Sequence, residues 1–313
     1  MKSFKIIIIT LILSGTTVLF SSTTTPFQFL RFNESARAAA LAGCFVSMTD
    51  DASAVFFNPA AISTVNDKHF STTFLKHILD INSGNVSYIK KYDEVGTFAG
   101  AVSFTSYGSF DYADQFANRN GTFGAIDMML SGTYSNELDS NLYYGVSAKL
   151  FLVTLEKFST TAFAVDAGLL YMMPEKRTNI GISILHAGTQ ITTIGGDYEG
   201  VPLDIRAGIN HRLRGLPLLI NFSFHHLADK TNNFFDKFMN FSIGGEIYFG
   251  NYVQARLGYN NQIRKETSPS TDRGLSGFSG GVGVKTRDIN IDYGAAQYGK
   301  SAMLHRFTIG LDF

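Results

Sequence analysis

The sequence predicts an all-β protein, a transmembrane antiparallel β-barrel of about 14 strands with an N-terminal lumenal plug. The chain ends on a segment, residues 303–313, in which apolar and polar side chains alternate and the last residue is aromatic. The same alternation recurs from about residue 70 onward, interrupted by turn-forming residues. Most segments are about 9 to 12 residues long, which suits tilted membrane strands, whereas soluble strands average about five or six.

The N-terminus has the pattern of a secretory signal peptide over residues 1–22, with its cleavage site left open. Lys2 and Lys5 precede an apolar stretch, residues 6–13, and small polar residues follow it. A single membrane anchor is the alternative interpretation. The only cysteine, Cys44, lies far beyond the cleavage region, which argues against a lipoprotein and excludes an intramolecular disulfide.

Composition narrows the choice of partner. The 26 basic and 26 acidic residues cancel, and nucleic-acid binding needs a basic excess, so nucleic acid is not an expected partner. Membrane lipid is the expected one. Since the chain has no Trp, its 28 Phe and 14 Tyr residues would have to form the aromatic belts at the membrane interfaces.

Residues 23–68 do not alternate, so the barrel is predicted over residues 69–313. A segment ahead of a barrel is either a lumenal plug or a periplasmic leader, and its apolar content favours the plug. Within it, Asn58-Pro59-Ala60 predicts a turn that ends a short apolar segment. We expect Asp50 to cap the next turn or to pair with Arg37. We also expect Arg37 to be buried against a lumenal carboxylate, such as Asp166, Glu246 or Asp292.

Charged residues on the strands are predicted to point into the lumen, because an Arg or Lys facing mid-bilayer lipid costs about 2–4 kcal/mol. These residues are Lys149, Asp166, Asp204, Arg206, Arg212, Glu246, Arg256, Lys285, Asp292, Arg306 and Asp312. Their balanced signs favour a structural network over a charged conduction path. The last strand should close the barrel with a lipid-facing row of Phe307, Ile309, Leu311 and Phe313.

The connections differ in length. Residues 91–96, 136–140 and 174–179 are short and polar, which is typical of periplasmic turns. Residues 111–122, 189–202, 228–237 and 263–273 are longer and are predicted to be extracellular loops.

Three motifs could carry chemistry. Gly277-Phe278-Ser279-Gly280-Gly281 matches a hydrolase nucleophile motif, but Ser279 falls on a predicted strand instead of a strand-turn-helix elbow. His225 and His226 are adjacent on a predicted strand end, so one should face the lumen and the other lipid. Asp50 and Asp51 are too few to hold a cation alone. We therefore predict no catalytic, metal-binding or cofactor-binding residue, and no enzyme.

A resemblance adds to this interpretation. The run Ser35-Ala36-Arg37 through Gly43, followed by Asp50-Asp51 and Asn58-Pro59-Ala60, resembles the N-terminal signature of the PorV/PorQ family. That family belongs with the long-chain fatty-acid-transporter (FadL)-like barrels. Further blocks, among them Gly96-Thr97-Phe98 and Gly188-Thr189-Gln190, are more similar to the PorQ branch. The chain departs from the pattern at Ala42, where a second glycine is usual, and lacks a Trp after His225-His226-Leu227.

The resemblance implies a non-enzymatic component of the type IX secretion system in the bacterial outer membrane. It would act as a scaffold of the cell-surface attachment complex, with PorZ-, PorU- and PorV-like proteins as partners. The signature residues Ser35, Ala36, Arg37, Gly43, Asp50, Asp51, Asn58, Pro59 and Ala60 would then be structural. The alternative is a FadL-like transporter of hydrophobic small molecules. A general porin is less favoured, because a plug would occlude its pore.

Overall fold

A computed structural model describes residues 25–32, 34–65, 68–77, 80–114, 116, 118–193, 198–231, 233–266, 274–300 and 302–313. The predicted signal peptide lies outside these residues. The fourteen strands are β1 Lys68–Lys76, β2 Asn82–Tyr92, β3 Gly96–Ala113, β4 Arg119–Asp139, β5 Leu142–Leu155, β6 Phe158–Met173, β7 Thr178–Thr192, β8 Asp204–Arg212, β9 Leu218–Phe224, β10 Phe241–Phe249, β11 Val253–Asn260, β12 Phe278–Lys285, β13 Ile289–Gly299 and β14 Ala302–Asp312.

Two short α-helices accompany the strands, α1 Ala36–Ala40 and α2 Asn261–Glu266. Short 3₁₀ turns lie at Gln28–Arg31, Ala52–Phe56, Pro59–Thr64, Pro174–Lys176 and Phe234–Met239. Within the described residues, no helix is long and apolar enough to cross a membrane.

The strands form one closed antiparallel barrel in which each strand pairs with its neighbours in the chain. β14 returns to pair with β1, with Phe307 opposite Phe74 and Ile309 opposite Thr72. Closure gives every strand two partners, so no backbone edge is left to face hydrocarbon. The predicted fold class is confirmed.

The outer wall is apolar. On β14, Phe307 and Ile309 are exposed on the outer face, whereas Arg306 and Thr308 are buried on the lumenal face. Aromatic rings form girdles at both ends of this wall, as expected of a membrane barrel without Trp. One girdle joins Tyr92, Phe98, Tyr134 and Tyr144 with ring centroids 5.1–6.1 Å apart, and the other joins Phe222, Phe241, Tyr259 and Phe278.

The two ends of the barrel differ. One, the turn end, carries the short connections after β2, β4, β6, β8, β10 and β12, the start of β1 and the end of β14. The other, the loop end, carries the long connections after β7, β9 and β11. Short turns are typical of the periplasmic side. The connection predicted over residues 111–122 lies at the loop end but is shorter than predicted, because β3 continues to Ala113 and β4 begins at Arg119. A Phe110–Phe123 ring stack and an Arg119–Asp111 ion pair of 2.8 Å extend the hairpin.

The described N-terminal residues lie inside the barrel, as predicted for a plug. Helix α1 contacts β11 to β14, and the turn Pro59–Thr64 contacts β3 to β6. Asn58-Pro59-Ala60 lies between two 3₁₀ turns and begins the second. The Asn58 side chain accepts a hydrogen bond from the Ala60 N–H, and Pro59 occupies the first position, where its missing N–H costs nothing.

The plugged lumen as candidate functional site

Glycines of the barrel wall let the plug main chain lie directly against the strands. A Cβ at Gly294 would overlap the Ala36 carbonyl oxygen, and one at Gly168 would overlap the Asn58 side-chain oxygen. At Gly258 it would lie 2.6 Å from the Ala42 nitrogen. Gly145, Gly181, Gly208, Gly244 and Gly281 make similar close approaches to the plug. The wall is therefore shaped to this particular plug backbone, since only glycine leaves the room.

A buried ion network ties the plug to three strands. Arg37 Nη2 lies 2.7 Å from Glu246 Oε2, and Arg37 Nη1 lies 3.1 Å from Asp51 Oδ2. Arg256 bridges Glu246, at 2.8 Å from its Nε, and Asp292. Of the three expected partners of Arg37, Glu246 is thus the correct one. Asp292 pairs with Arg256 instead, and Asp166 pairs with Lys149 at 2.6 Å.

Asp51 takes the two roles that were predicted for Asp50. Its carboxylate accepts a 2.8 Å hydrogen bond from the Ser53 N–H, capping the turn Ala52–Phe56, and also pairs with Arg37. Capping needs an extended backbone, which Asp51 has at φ −145° and ψ 124°. The Asp50 backbone is left-handed at φ 56°, and its exposed side chain lies at the turn end of the plug.

The remaining signature residues hold helix α1 and its neighbours in place. The Ser35 hydroxyl accepts from the Ala38 N–H and caps α1, and the Ala36 N–H donates to Thr308 Oγ1 of the closing strand at 2.9 Å. Gly43, at φ 82°, ends the helix by donating its N–H to the Ala38 carbonyl at 2.8 Å. Asn58 Nδ2 donates to the carbonyls of Val46 and Leu169 at 2.7 and 3.0 Å.

One half of the plug is apolar. Phe27 and Phe29 pack on Phe151 of β5 with ring centroids 6.0 and 6.4 Å apart. The lumenal position of Phe151 was not predicted from the sequence. The run 150–153 is apolar at every position, which indicates a strand buried on both faces. Cys44 is 2% exposed in the same core, and burial raises the pKa of its thiol to about 12.

Two cavities lie at the two ends of the plug, and polar side chains line both. The turn-end cavity encloses about 660 Å³ between the plug and strands β7 to β13. Three residues of the buried ion network, Arg37, Glu246 and Arg256, line it. The loop-end cavity encloses about 160 Å³ and is lined in part by Arg31, His225, His226, Asn260 and Gln262. A third hollow, of about 920 Å³, is an apolar groove on the outer wall of β9 to β14.

Both histidines of the His225-His226 pair are buried, so the prediction that one faces lipid is wrong. β9 ends at Phe224, and His226 adopts a left-handed backbone at φ 53°, so strand alternation no longer applies. His226 Nδ1 lies 2.7 Å from Gln262 Oε1. Ser279 faces the lumen as predicted, and its hydroxyl donates to the Ala40 carbonyl at 3.0 Å. In the part of the chain that the structure describes, no group of three or more metal-ligating residues is found.

No protein-family model matches the chain, and neither does any curated protein. Solved structures do match over most of its length. The toluene transporter TodX of Pseudomonas putida matches with a TM-score of 0.57 at 12% identity, over 94% of this chain and 98% of that one. The toluene transporter TbuX of Ralstonia pickettii matches with 0.56 at 14%, over 88% and 96%.

A FadL homologue of Pseudomonas aeruginosa matches with a TM-score of 0.52 at 10% identity, over 94% of this chain and 99% of that one. Identities this low establish the fold alone. The closed antiparallel barrel, its apolar outer wall and its aromatic girdles agree with that likeness. The protein is a closed 14-stranded antiparallel β-barrel with the fold of the FadL-like outer-membrane barrels.

Proposed function

We propose that this protein is a non-enzymatic scaffold barrel of the type IX secretion system. In this role it anchors PorZ-, PorU- and PorV-like components of the cell-surface complex that processes and attaches secreted cargo. The observation that carries the proposal is a lumen closed by a plug that is built into the wall. The assignment to the type IX secretion system rests on the resemblance of the N-terminal segment to the PorV/PorQ family.

Three kinds of contact hold the plug, and a channel would have to break them. Wall glycines accept its main chain, an aromatic core around Phe151 buries its apolar half, and Arg37 joins it to Glu246. Separating a buried ion pair leaves charges without partners, which costs about 3–5 kcal/mol. A barrel closed this firmly suits an anchor better than a conduit.

The loop end offers apolar side chains for partner proteins. Phe234 and Phe235, in the connection after β9, are 67% and 78% exposed, and Phe116 and Tyr198 are similarly exposed in other loops. Aromatic side chains of this kind are typical anchors of protein interfaces. The signature residues lie in the plug instead, so in this proposal they keep the barrel closed while the loops bind.

The rival function is transport of hydrophobic small molecules, and the fold shared with the toluene transporters TodX and TbuX favours it. The turn-end cavity weighs against it. A hydrophobic molecule leaving the lumen there would pass Arg37, Glu246 and Arg256, and apolar solutes gain nothing from a charged, hydrated passage.

Deletion of the gene separates the two functions. We expect the deletion strain to accumulate type IX cargo that retains its C-terminal signal, or to release cargo into the medium, while toluene and fatty-acid uptake stay normal. Wild-type complementation should restore processing. The F234S/F235S variant should assemble but fail to restore it, whereas the loop-end control R119A should restore it. Normal cargo processing with lost uptake would establish the transporter instead.

A further inference from the structure

The turn-end cavity opens on the side of the short turns, which is the periplasmic side of an outer-membrane barrel. Its floor is made by the plug residues Met48, Thr49 and Asp50, and its wall by the lumenal faces of β7 to β13. Its volume of about 660 Å³ lies within the range of ligand sites, about 300–1,000 Å³. A periplasmic molecule can reach this space without crossing the plug.

The wall presents cations that lie outside the buried ion network, although Lys285 attracts the Asp50 carboxylate. Among the described residues, Arg177, Arg212 and Lys285 form no ion pair, unlike Arg37 and Arg256 deeper in the lumen. The Arg212 guanidinium lies 4.5 Å from the centre of the Tyr248 ring, which orients it. Two carboxylates line the cavity. Glu246 forms ion pairs with Arg37 and Arg256, and Asp50 lies on the floor.

Carboxamides line the same cavity as these cations. Asn179 and Gln254 line the cavity, and within the described chain their side chains form no hydrogen bond. Gln254 is only 5% exposed, so its free amide faces the cavity rather than bulk solvent. An amide both donates and accepts hydrogen bonds, which makes it the complement of a peptide main chain.

The turns around the opening extend this positive charge. On the side of β6 to β13 they carry Lys176, Arg177, Arg214 and Arg287, against Glu175 and Asp288. On the opposite side, the ends of β2 and β4 and the turn after β2 carry Asp93, Glu94, Glu137 and Asp139, against Lys90 and Lys91. An approaching acidic segment is thus drawn to the side of the opening where the cavity lies.

We infer that the turn-end cavity binds an acidic peptide segment of a periplasmic partner. Arg177, Arg212 and Lys285 pair with its carboxylates, and Asn179 and Gln254 hydrogen-bond to its main chain. A scaffold and a transporter would present the same cavity, so this inference does not depend on which function above holds.

Fluorescence anisotropy of the purified full-length barrel in detergent tests the inference, with labelled hexaglutamate and hexalysine as probes. We expect hexaglutamate to bind, with affinity falling as salt is raised, and hexalysine not to bind. The R212Q/K285Q variant should weaken hexaglutamate binding by about tenfold or more. R119Q, which removes an exposed cation at the loop end, should bind like wild type. Equal binding of both peptides, or wild-type affinity in R212Q/K285Q, would overturn the inference.

Carbodiimide coupling locates the peptide and does not depend on the double variant folding. The reagent joins a glutamate carboxylate to a nearby lysine amine as an amide. Coupling is expected at Lys285, and K285R should lose that product while keeping its affinity. Products confined to Lys157 and Lys265, which lie in loop-end connections, would contradict the proposed site. Heat-modifiable migration on gels confirms that each variant is a folded barrel.

Discussion

Arg37 of the plug and Glu246 of β10 are joined by two parallel hydrogen bonds, Nε to Oε1 at 3.2 Å and Nη2 to Oε2 at 2.7 Å. They are 209 positions apart in the chain, and the pair is the centre of a network of two arginines and three carboxylates. A planar, two-point contact fixes orientation as well as distance. The pair therefore holds the plug at a defined height in the barrel.

Replacing Arg37 by Met should loosen the plug. The change leaves Asp51, Glu246 and Asp292 with Arg256 as their only arginine, and breaking a buried pair costs about 3–5 kcal/mol. Cys44, buried in wild type, should then react with a maleimide at least about a hundredfold faster in the purified barrel.

Two variants control for this effect. R37M/E246Q removes one cation and one carboxylate together, so it should react more slowly than R37M. R119A breaks an exposed pair worth at most about 1 kcal/mol and should leave the Cys44 rate unchanged. Slow labelling in R37M would mean that the network does not hold the plug.

A side chain at a plug-facing glycine should displace the plug without opening the barrel. In G294V the added carbon atoms overlap the Ala36 carbonyl, and overpacking of this kind costs about 1–3 kcal/mol or more. Cys44 labelling should accelerate while heat-modifiable migration persists. G132V is the matched control, because nothing lies within 4 Å of a Cβ built at Gly132. Equal labelling of the two variants would contradict the close approach.

Ala42→Gly should stabilise the plug. Ala42 has a left-handed backbone at φ 56°, which costs a non-glycine residue about 1–2 kcal/mol. Glycine relieves this backbone strain, but its more flexible unfolded state offsets about 0.4–1 kcal/mol of the resulting stabilisation. We expect Cys44 labelling to become severalfold slower. A39G, inside helix α1, should do the opposite, since glycine costs about 1 kcal/mol there.

The terminal strand should be needed for assembly. The Phe313 N–H donates to the Lys68 carbonyl at 3.1 Å, and its ring lies on the exposed outer face. Deleting Phe313 removes an apolar contact worth about 1.5–3 kcal/mol when fully buried in lipid. I309D places a charge on the lipid face. Both changes should reduce the folded band on unboiled gels and the amount in the outer membrane.

T308S controls for position, because serine keeps the hydroxyl that bonds to Thr73 and to the Ala36 N–H. It should assemble nearly as well as wild type. Assembly of the Phe313 deletion at the wild-type level would show that this residue is dispensable for closure.

Local alternation determined much of this fold from the sequence. Successive strand side chains point to opposite faces, so the outward Phe307 and the inward Arg306 follow from chain position alone. Lys149, Arg256 and Arg306 had to face the lumen for the same reason, since lipid does not solvate charge. Where alternation stops, as after β9, chain position does not determine which face His225 and His226 occupy.

Only the tertiary structure decided which groups meet. β14 closes on β1, and the position of the plug in the barrel places Arg37 beside Glu246. Asp166 forms its ion pair with Lys149 instead. The preference for Asp51 over Asp50 depends on one left-handed backbone angle. These pairings join residues distant in the chain, and a period-two pattern holds information about faces but none about partners.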